Sequence, residues 1–139
     1  MGVELTKDGI DLGIVTANPS AMLKFYRDTL GLVQEPDTPF PAGGVMHRLW
    51  CGKSLIKIVA PDDAPKAAPP PAPITRATGY RYWTISVQNL ASLTQACADA
   101  GYTVAMPVTE VRPGITISMI VDPDGNWVEL LETSTAPTA

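Results

Sequence analysis

The sequence predicts an α+β fold in which two β-α-β-β-β modules follow one another. Three observations predict it. A proline-rich stretch divides the chain, the two flanking halves repeat one pattern, and each half carries one helix among short β-rich runs. With 139 residues and 45% hydrophobic side chains, the chain is large and apolar enough to bury a core.

The helix of each module has a recognisable start and end. A short β-rich run ends at an asparagine, Asn18 or Asn89, and a helical segment follows that stops at a glycine, Gly31 or Gly101. Asparagine is a preferred N-cap, and proline, here Pro19, suits the first helical position. Glycine suits the left-handed residue that closes a helix.

Three further β-like segments follow each helix. The predicted segments are 32–35, 45–50 and 54–60 in the first half and 102–106, 115–121 and 127–132 in the second. In the second half, segments 115–121 and 127–132 are joined by Asp122-Pro123-Asp124-Gly125, whose residue types favour a tight turn. The chain is therefore interpreted as a single domain over 1–139, with module one at 10–60, a linker at 61–80 and module two at 81–133.

Composition excludes several classes of function. The net charge of -4 and the pI of about 4.8 argue against nucleic-acid binding, which requires clustered basic residues. No apolar run approaches the ~20 residues that span a bilayer, and the N-terminus lacks the apolar stretch of a secretory signal. The two cysteines, Cys51 and Cys97, are too few for a disulfide framework, so a cytoplasmic protein is expected.

Two motifs add a family resemblance. FYRDTLGL at 25–32 and DPDGNWVEL at 122–130, within the tandem modules, resemble the vicinal oxygen chelate superfamily, which has the glyoxalase and bleomycin-resistance fold. The resemblance covers residues 10–133. It implies a cup-shaped mixed sheet, a small-molecule ligand and a homodimer. The superfamily includes lyases, epimerases, dioxygenases and metal-free drug-binding proteins, so the resemblance does not identify one reaction.

In metal-using members of that superfamily, four residues of the first and last strands of the modules hold a divalent ion. The equivalent positions here are Asp11, Lys57, Tyr82 and Glu129. A lysine ammonium has no lone pair and repels a cation. We therefore expect no metal cofactor, and a metal, if one binds, would use Asp11 and Glu129.

The resemblance and these four residues predict a metal-independent enzyme that transfers protons on a small or medium organic carbonyl compound, as an isomerase, epimerase or lyase. Glu129 would act as the general base, Lys57 would polarise the carbonyl, Tyr82 would donate a hydrogen bond and Asp11 would balance the lysine charge. Three alternatives stay open: a buried structural ion-pair network, a bleomycin-resistance-type protein that sequesters a drug-like ligand, and a divalent-metal enzyme of the glyoxalase or dioxygenase type.

Five further residues are predicted to contact the ligand. Strict alternation places Trp127 on the same strand face as Glu129. Arg112 flanks a strand near the predicted rim, where a planar guanidinium can bind a carboxylate or phosphate. The third strand of module one supplies His47, Arg48 and Trp50.

Overall fold

The computed structural model describes residues 2–70 and 72–134. The chain divides into two compact units, and the boundary between them falls between Ala67 and Ala68. This boundary lies inside the proline-rich stretch. Each unit contains one four-stranded mixed sheet and its own helix.

The first unit begins with a strand and a short helix. Its elements are β1 (Asp11–Val15), α1 (Pro19–Leu23) with a π-helical continuation (Lys24–Thr29), β2 (Val33–Pro39), β3 (Gly44–Cys51) and β4 (Ser54–Pro61). The strand order is β1-β4-β3-β2, with β1 parallel to β4 and the other pairs antiparallel.

The second unit repeats this arrangement. After a 3₁₀ turn (Ile74–Arg76) come β5 (Tyr82–Ser86), α2 (Leu90–Asp99), β6 (Val104–Arg112), β7 (Ile115–Val121) and β8 (Trp127–Thr133). The order β5-β8-β7-β6, again with the first and last strands parallel, matches the first sheet strand for strand. The predicted α+β class and the β-α-β-β-β repeat are confirmed.

In the first unit, the helical segment covers one face of the sheet. Met22, Phe25 and Tyr26 are fully buried, and the Phe25 and Tyr26 rings meet edge to face with centroids 4.7 Å apart. The Arg27 guanidinium donates to Gln34 Oε1 at 2.8 Å. Gln34 pairs with Leu49, which identifies the helix-covered face. Burial of the apolar side chains on that face stabilises the unit.

Helix α2 covers the equivalent face of the second sheet. The buried Thr94 hydroxyl lies 2.8 Å from the Ser118 hydroxyl and donates to the carbonyl of Leu90 at 2.7 Å. Leu90 and Cys97 are buried beside it. Apolar spacing in the sequence predicts a helix face through Leu93, Ala96, Cys97 and Ala100; Cys97 is buried, but Ala96 and Ala100 are exposed.

Both helices begin at the predicted residues, but the predicted side-chain hydrogen bonds of the N-caps are not among the contacts of the described residues. Asn18 and Asn89 are the N-cap residues, yet neither side chain caps its helix by a hydrogen bond within the described residues. The Glu132 carboxylate accepts the backbone N–H of Leu90 at 3.0 Å instead. The helix-closing glycines, with φ of 79° at Gly31 and 91° at Gly101, have the predicted left-handed backbone.

Strand β6 extends further than the sequence predicts. The predicted segment is 102–106, but the strand spans Val104–Arg112 and includes Pro107. Because β6 is an edge strand with register shifts, a proline is tolerated there. None of the helices formed by residues 2–70 and 72–134 is long and apolar enough to cross a membrane.

Candidate functional site

The helix-distal face of the first sheet, which carries Asp11, Glu35, Arg48, Trp50 and Lys57, is rich in charge. Gly13 pairs with Lys57, so Asp11, two residues before Gly13, lies on the same face. The Lys57 ammonium is 3.2 Å from Asp11 Oδ2, and Lys7 donates a hydrogen bond to Asp11 Oδ1. The hydrogen bond from Lys7, and then that from Lys57, hold the pKa of Asp11 below its ordinary value.

A second group on the helix-distal face of the first sheet is organised by Glu35. The Trp50 indole Nε1–H donates to Glu35 Oε1 at 2.6 Å, and Arg48 Nη1 lies 3.3 Å from Glu35 Oε2. The Lys7 ammonium sits over the Trp50 ring, 5.1 Å from its centroid. Arg48 and Trp50, both predicted ligand contacts, therefore share this face with Lys57.

His47 lies on the other face of the same strand. It pairs with Ile58, whereas its neighbour Arg48 pairs with Lys57, and successive residues of a strand point to opposite faces. Its Nδ1 is 2.9 Å from Asp37 Oδ1. The sequence grouped His47 with Arg48 and Trp50, but the strand places its side chain with the helix-covered face.

The helix-distal face of the second sheet holds Glu129. Thr84 pairs with Glu129, and the Thr84 hydroxyl donates to Glu129 Oε1 at 2.7 Å. Tyr82 pairs with Trp127 on the same face, and Tyr82 is 51% exposed. No basic side chain of residues 2–70 or 72–134 forms an ion pair with Glu129, so the carboxylate keeps acceptor capacity for a ligand.

Arg112 lies on the edge strand β6 of this sheet. It is exposed, ends β6 and pairs with Ile115. Strand β7 separates β6 from the strand that carries Glu129. Alternation through Ile115 and Met119, which pairs with Glu129, places Arg112 on the helix-distal face of the second sheet.

The Asp11 carboxylate, a possible metal ligand, is already bound by two cations. No group of three or more His, Cys, Asp or Glu side chains within the described ranges is arranged to hold an ion. Both Asp11 oxygens are bound by ammonium groups, those of Lys7 and Lys57. A cation at Asp11 would have to displace two positive charges, which is unfavourable.

Three residues at these faces were not singled out from the sequence. Thr84 could have been found, because it lies two residues after Tyr82 and alternation gives it the same face. Glu35 lies in a predicted strand, but its partners Trp50 and Arg48 depend on strand pairing. Lys7 precedes the first module, and no local pattern marks it as a partner of Asp11.

Comparison with known families agrees with this architecture. A model of the Glyoxalase/Bleomycin resistance protein/Dioxygenase superfamily matches residues 10–130. The chain belongs to this superfamily. The match spans both modules and includes all four positions inferred from the resemblance. Comparison with curated protein sequences gave no significant match.

Solved structures of the superfamily share the fold. A glyoxalase family protein from Bacillus cereus superposes with a TM-score of 0.81 at 16% identity, covering 95% of this chain and 97% of that one. A glyoxalase family protein from Enterococcus faecalis gives a TM-score of 0.65 at 23% identity, covering 93% and 97%. A glyoxalase I mutant from Zea mays gives 0.74 at 16% identity, covering 89% of this chain and 44% of that one. At these identities the likeness establishes the fold alone.

Proposed function

We propose that this superfamily member is a metal-independent enzyme that transfers protons on a small or medium organic carbonyl compound, with Glu129 as the general base. The observation that carries the proposal is the setting of the Glu129 carboxylate. It is held by the Thr84 hydroxyl at 2.7 Å on a sheet face that it shares with Tyr82 and Trp127. A positioned carboxylate without a cation partner among the described residues can accept a proton.

The proposed chemistry uses Glu129 twice. In the first step the carboxylate removes a proton from the carbon next to the carbonyl; the C–H electron pair forms a carbon–carbon double bond, and the carbonyl π pair moves to the oxygen, giving an enolate. In the second step the protonated Glu129 returns the proton to that carbon, on the same or the other face, and the carbonyl re-forms. In an α-hydroxycarbonyl compound it can instead return the proton to the former carbonyl carbon, while the α-hydroxyl proton passes to the enolate oxygen. Tyr82 offers a phenolic donor for a developing negative charge, and Thr84 fixes the orientation of the base.

We leave a metal out of the proposed reaction because of the side chains of Lys57 and Asp11. Lys57 stands where metal-using relatives have a ligand, and its ammonium is bound to Asp11. We therefore propose that no metal cofactor takes part. Chelation of divalent ions should leave the rate unchanged.

The experiment is proton–deuterium exchange at the α-carbon of pyruvate, 2-oxobutyrate and dihydroxyacetone in D₂O, followed by NMR. Glu129→Gln should lose roughly 10²–10⁴-fold in exchange rate and keep the fold, because the glutamine oxygen can still accept from Thr84. Glu110→Gln, at an exposed position of β6, is the matched control. Equal exchange by wild type and Glu129→Gln would remove Glu129 as the base.

A second function is favoured by the aromatic residues beside Glu129. Tyr82 is half exposed, and Trp127 is its pairing partner, so this face can bind a flat apolar ligand without converting it chemically. A sequestering protein of the bleomycin-resistance type would show no exchange in the wild type. Its ligand affinity would depend on Tyr82 and Trp127 and would tolerate Glu129→Gln.

We also propose a cytoplasmic homodimer. Cys51 and Cys97 are free thiols, which suits a reducing compartment. Apolar side chains are exposed on two edge strands, with Val33 on β2 at 67% and Val111 on β6 at 46%. Exposed apolar surface of this kind is typical of an interface between copies.

A further inference from the structure

The pairing of β3 with β4 places two cations side by side. Arg48 lies directly opposite Lys57, on the helix-distal face of the first sheet. Directly opposed residues have Cβ atoms about 4.5–5.5 Å apart, and like charges in such a pair repel each other. The chain as a whole carries a net charge of -4, so this pair is a local concentration of positive charge in an acidic protein.

The surrounding acids compensate this pair only in part. Asp11 divides its two oxygens between Lys57 and Lys7. Glu35 accepts the Trp50 indole N–H, and its ion pair with Arg48 at 3.3 Å lacks hydrogen-bond geometry. Within the described part of the chain, three cations thus share two carboxylates, and the Arg48 guanidinium keeps N–H donors available.

We propose that Arg48 and Lys57 together bind an oxyanion group, carboxylate or phosphate, of a small-molecule ligand. The planar guanidinium can donate two parallel hydrogen bonds to such a group, and the ammonium adds a compact charge from the neighbouring strand. Both side chains are partly exposed, at 26% for Arg48 and 31% for Lys57, so an anion can reach them. The Trp50 ring, two residues from Arg48 on the same face, offers apolar contact to the body of the ligand.

The test uses the full chain and three aromatic probes of similar shape: benzoate, phenyl phosphate and the neutral benzamide. Backbone amides of β3 and β4 and the Trp50 indole N–H are followed by NMR during titration. Both anions should give saturable shifts, while benzamide should give none. The ratio of the two anion affinities tells whether the group bound is a carboxylate or a phosphate.

Variants identify the side chains that bind. Lys57→Met and Arg48→Gln should each weaken anion binding about 10- to 100-fold, as expected for loss of a charge-assisted hydrogen bond. Lys53→Met, an exposed lysine in the turn between β3 and β4, should bind like the wild type. Equal binding of benzoate and benzamide, or unchanged affinity in both variants, would overturn the proposal.

Thermal melting separates this role from a structural ion pair. If Arg48 and Lys57 were only structural, Lys57→Met would melt at a lower temperature without changing anion affinity. If they form an anion site, Lys57→Met should lose anion affinity while its melting temperature without ligand changes little, because the removed repulsion with Arg48 offsets the lost ion pair with Asp11. Glu129→Gln should retain full anion binding, so failure of this proposal is distinguishable from failure of the proposed proton transfer.

Discussion

The turn between β7 and β8 is built on the Asp122 carboxylate, and its removal should destabilise the second unit. Asp122 is 3% exposed. Its Oδ1 accepts the backbone N–H groups of Asp124 and Asn126, each at 2.9 Å, and its Oδ2 accepts Asn126 Nδ2 at 2.9 Å. Gly125 completes the turn with φ of 98°, a backbone conformation that favours glycine.

The size of the effect follows from these three hydrogen bonds. A hydrogen bond to a charged group contributes about 1.5–3 kcal/mol, but the contributions of one group are not additive. The turn is at the surface, so water can reach part of the donors that Asp122→Ala would release. We therefore expect Asp122→Ala to lower the free energy of unfolding by about 2–4 kcal/mol.

Asp124→Ala is the matched control, because it removes the same charge from the same turn and Asp124 contributes its backbone N–H to the network. It should cost less than about 0.5 kcal/mol. Urea unfolding followed by tryptophan fluorescence should show a midpoint about 1–2 M lower for Asp122→Ala, given a typical slope near 2 kcal/mol/M. Equal midpoints for the two variants would refute the role assigned to Asp122.

Two further predictions concern Asp11 and assembly. Because hydrogen bonds from Lys7 and from Lys57 lower the pKa of Asp11 from 3.8, Lys7→Met and Lys57→Met should each raise that pKa in a carboxyl ¹³C NMR titration. The stabilisation from this exposed group is complete above the unfolded pKa and is lost as the pH falls through the lower folded pKa; an unchanged pKa in both variants would contradict the assignment. Light scattering at micromolar concentration should give twice the chain mass of 14.8 kDa, and a monomer mass at every concentration would exclude the homodimer.

Much of the fold was predictable because its signals are local. Strand β7 has the predicted bounds, 115–121, since a β-rich run ends at a turn whose residue types fix the backbone. The face of α2 was not predictable from apolar periodicity. Thr94 is buried there because its hydroxyl is satisfied by Leu90 and Ser118, and the Ser118 contact requires the tertiary structure.

In the candidate site, too, local patterns were predictable from the sequence and tertiary contacts were not. Strand alternation was enough to place Trp127 with Glu129, and the pairing of β5 with β8 agrees. It did not lead us to separate His47 from Arg48, although the two are adjacent in one strand. The partners Glu35 and Lys7 could not be predicted, because long side chains reach them across strands or from outside the module.

The two repeats differ at the position where their last strands carry a charge. Lys57 and Glu129 occupy equivalent positions, but Lys57 pairs with Gly13 and Glu129 pairs with Thr84. A Cβ at Gly13 would meet nothing within 4 Å, so the space beside Lys57 is free and its ammonium reaches Asp11. At Thr84 a hydroxyl fills that position and binds Glu129 directly. The first strands therefore supply different partners: Asp11 forms an ion pair with Lys57, whereas Thr84 donates a hydrogen bond to Glu129 and leaves a carboxylate able to accept a proton.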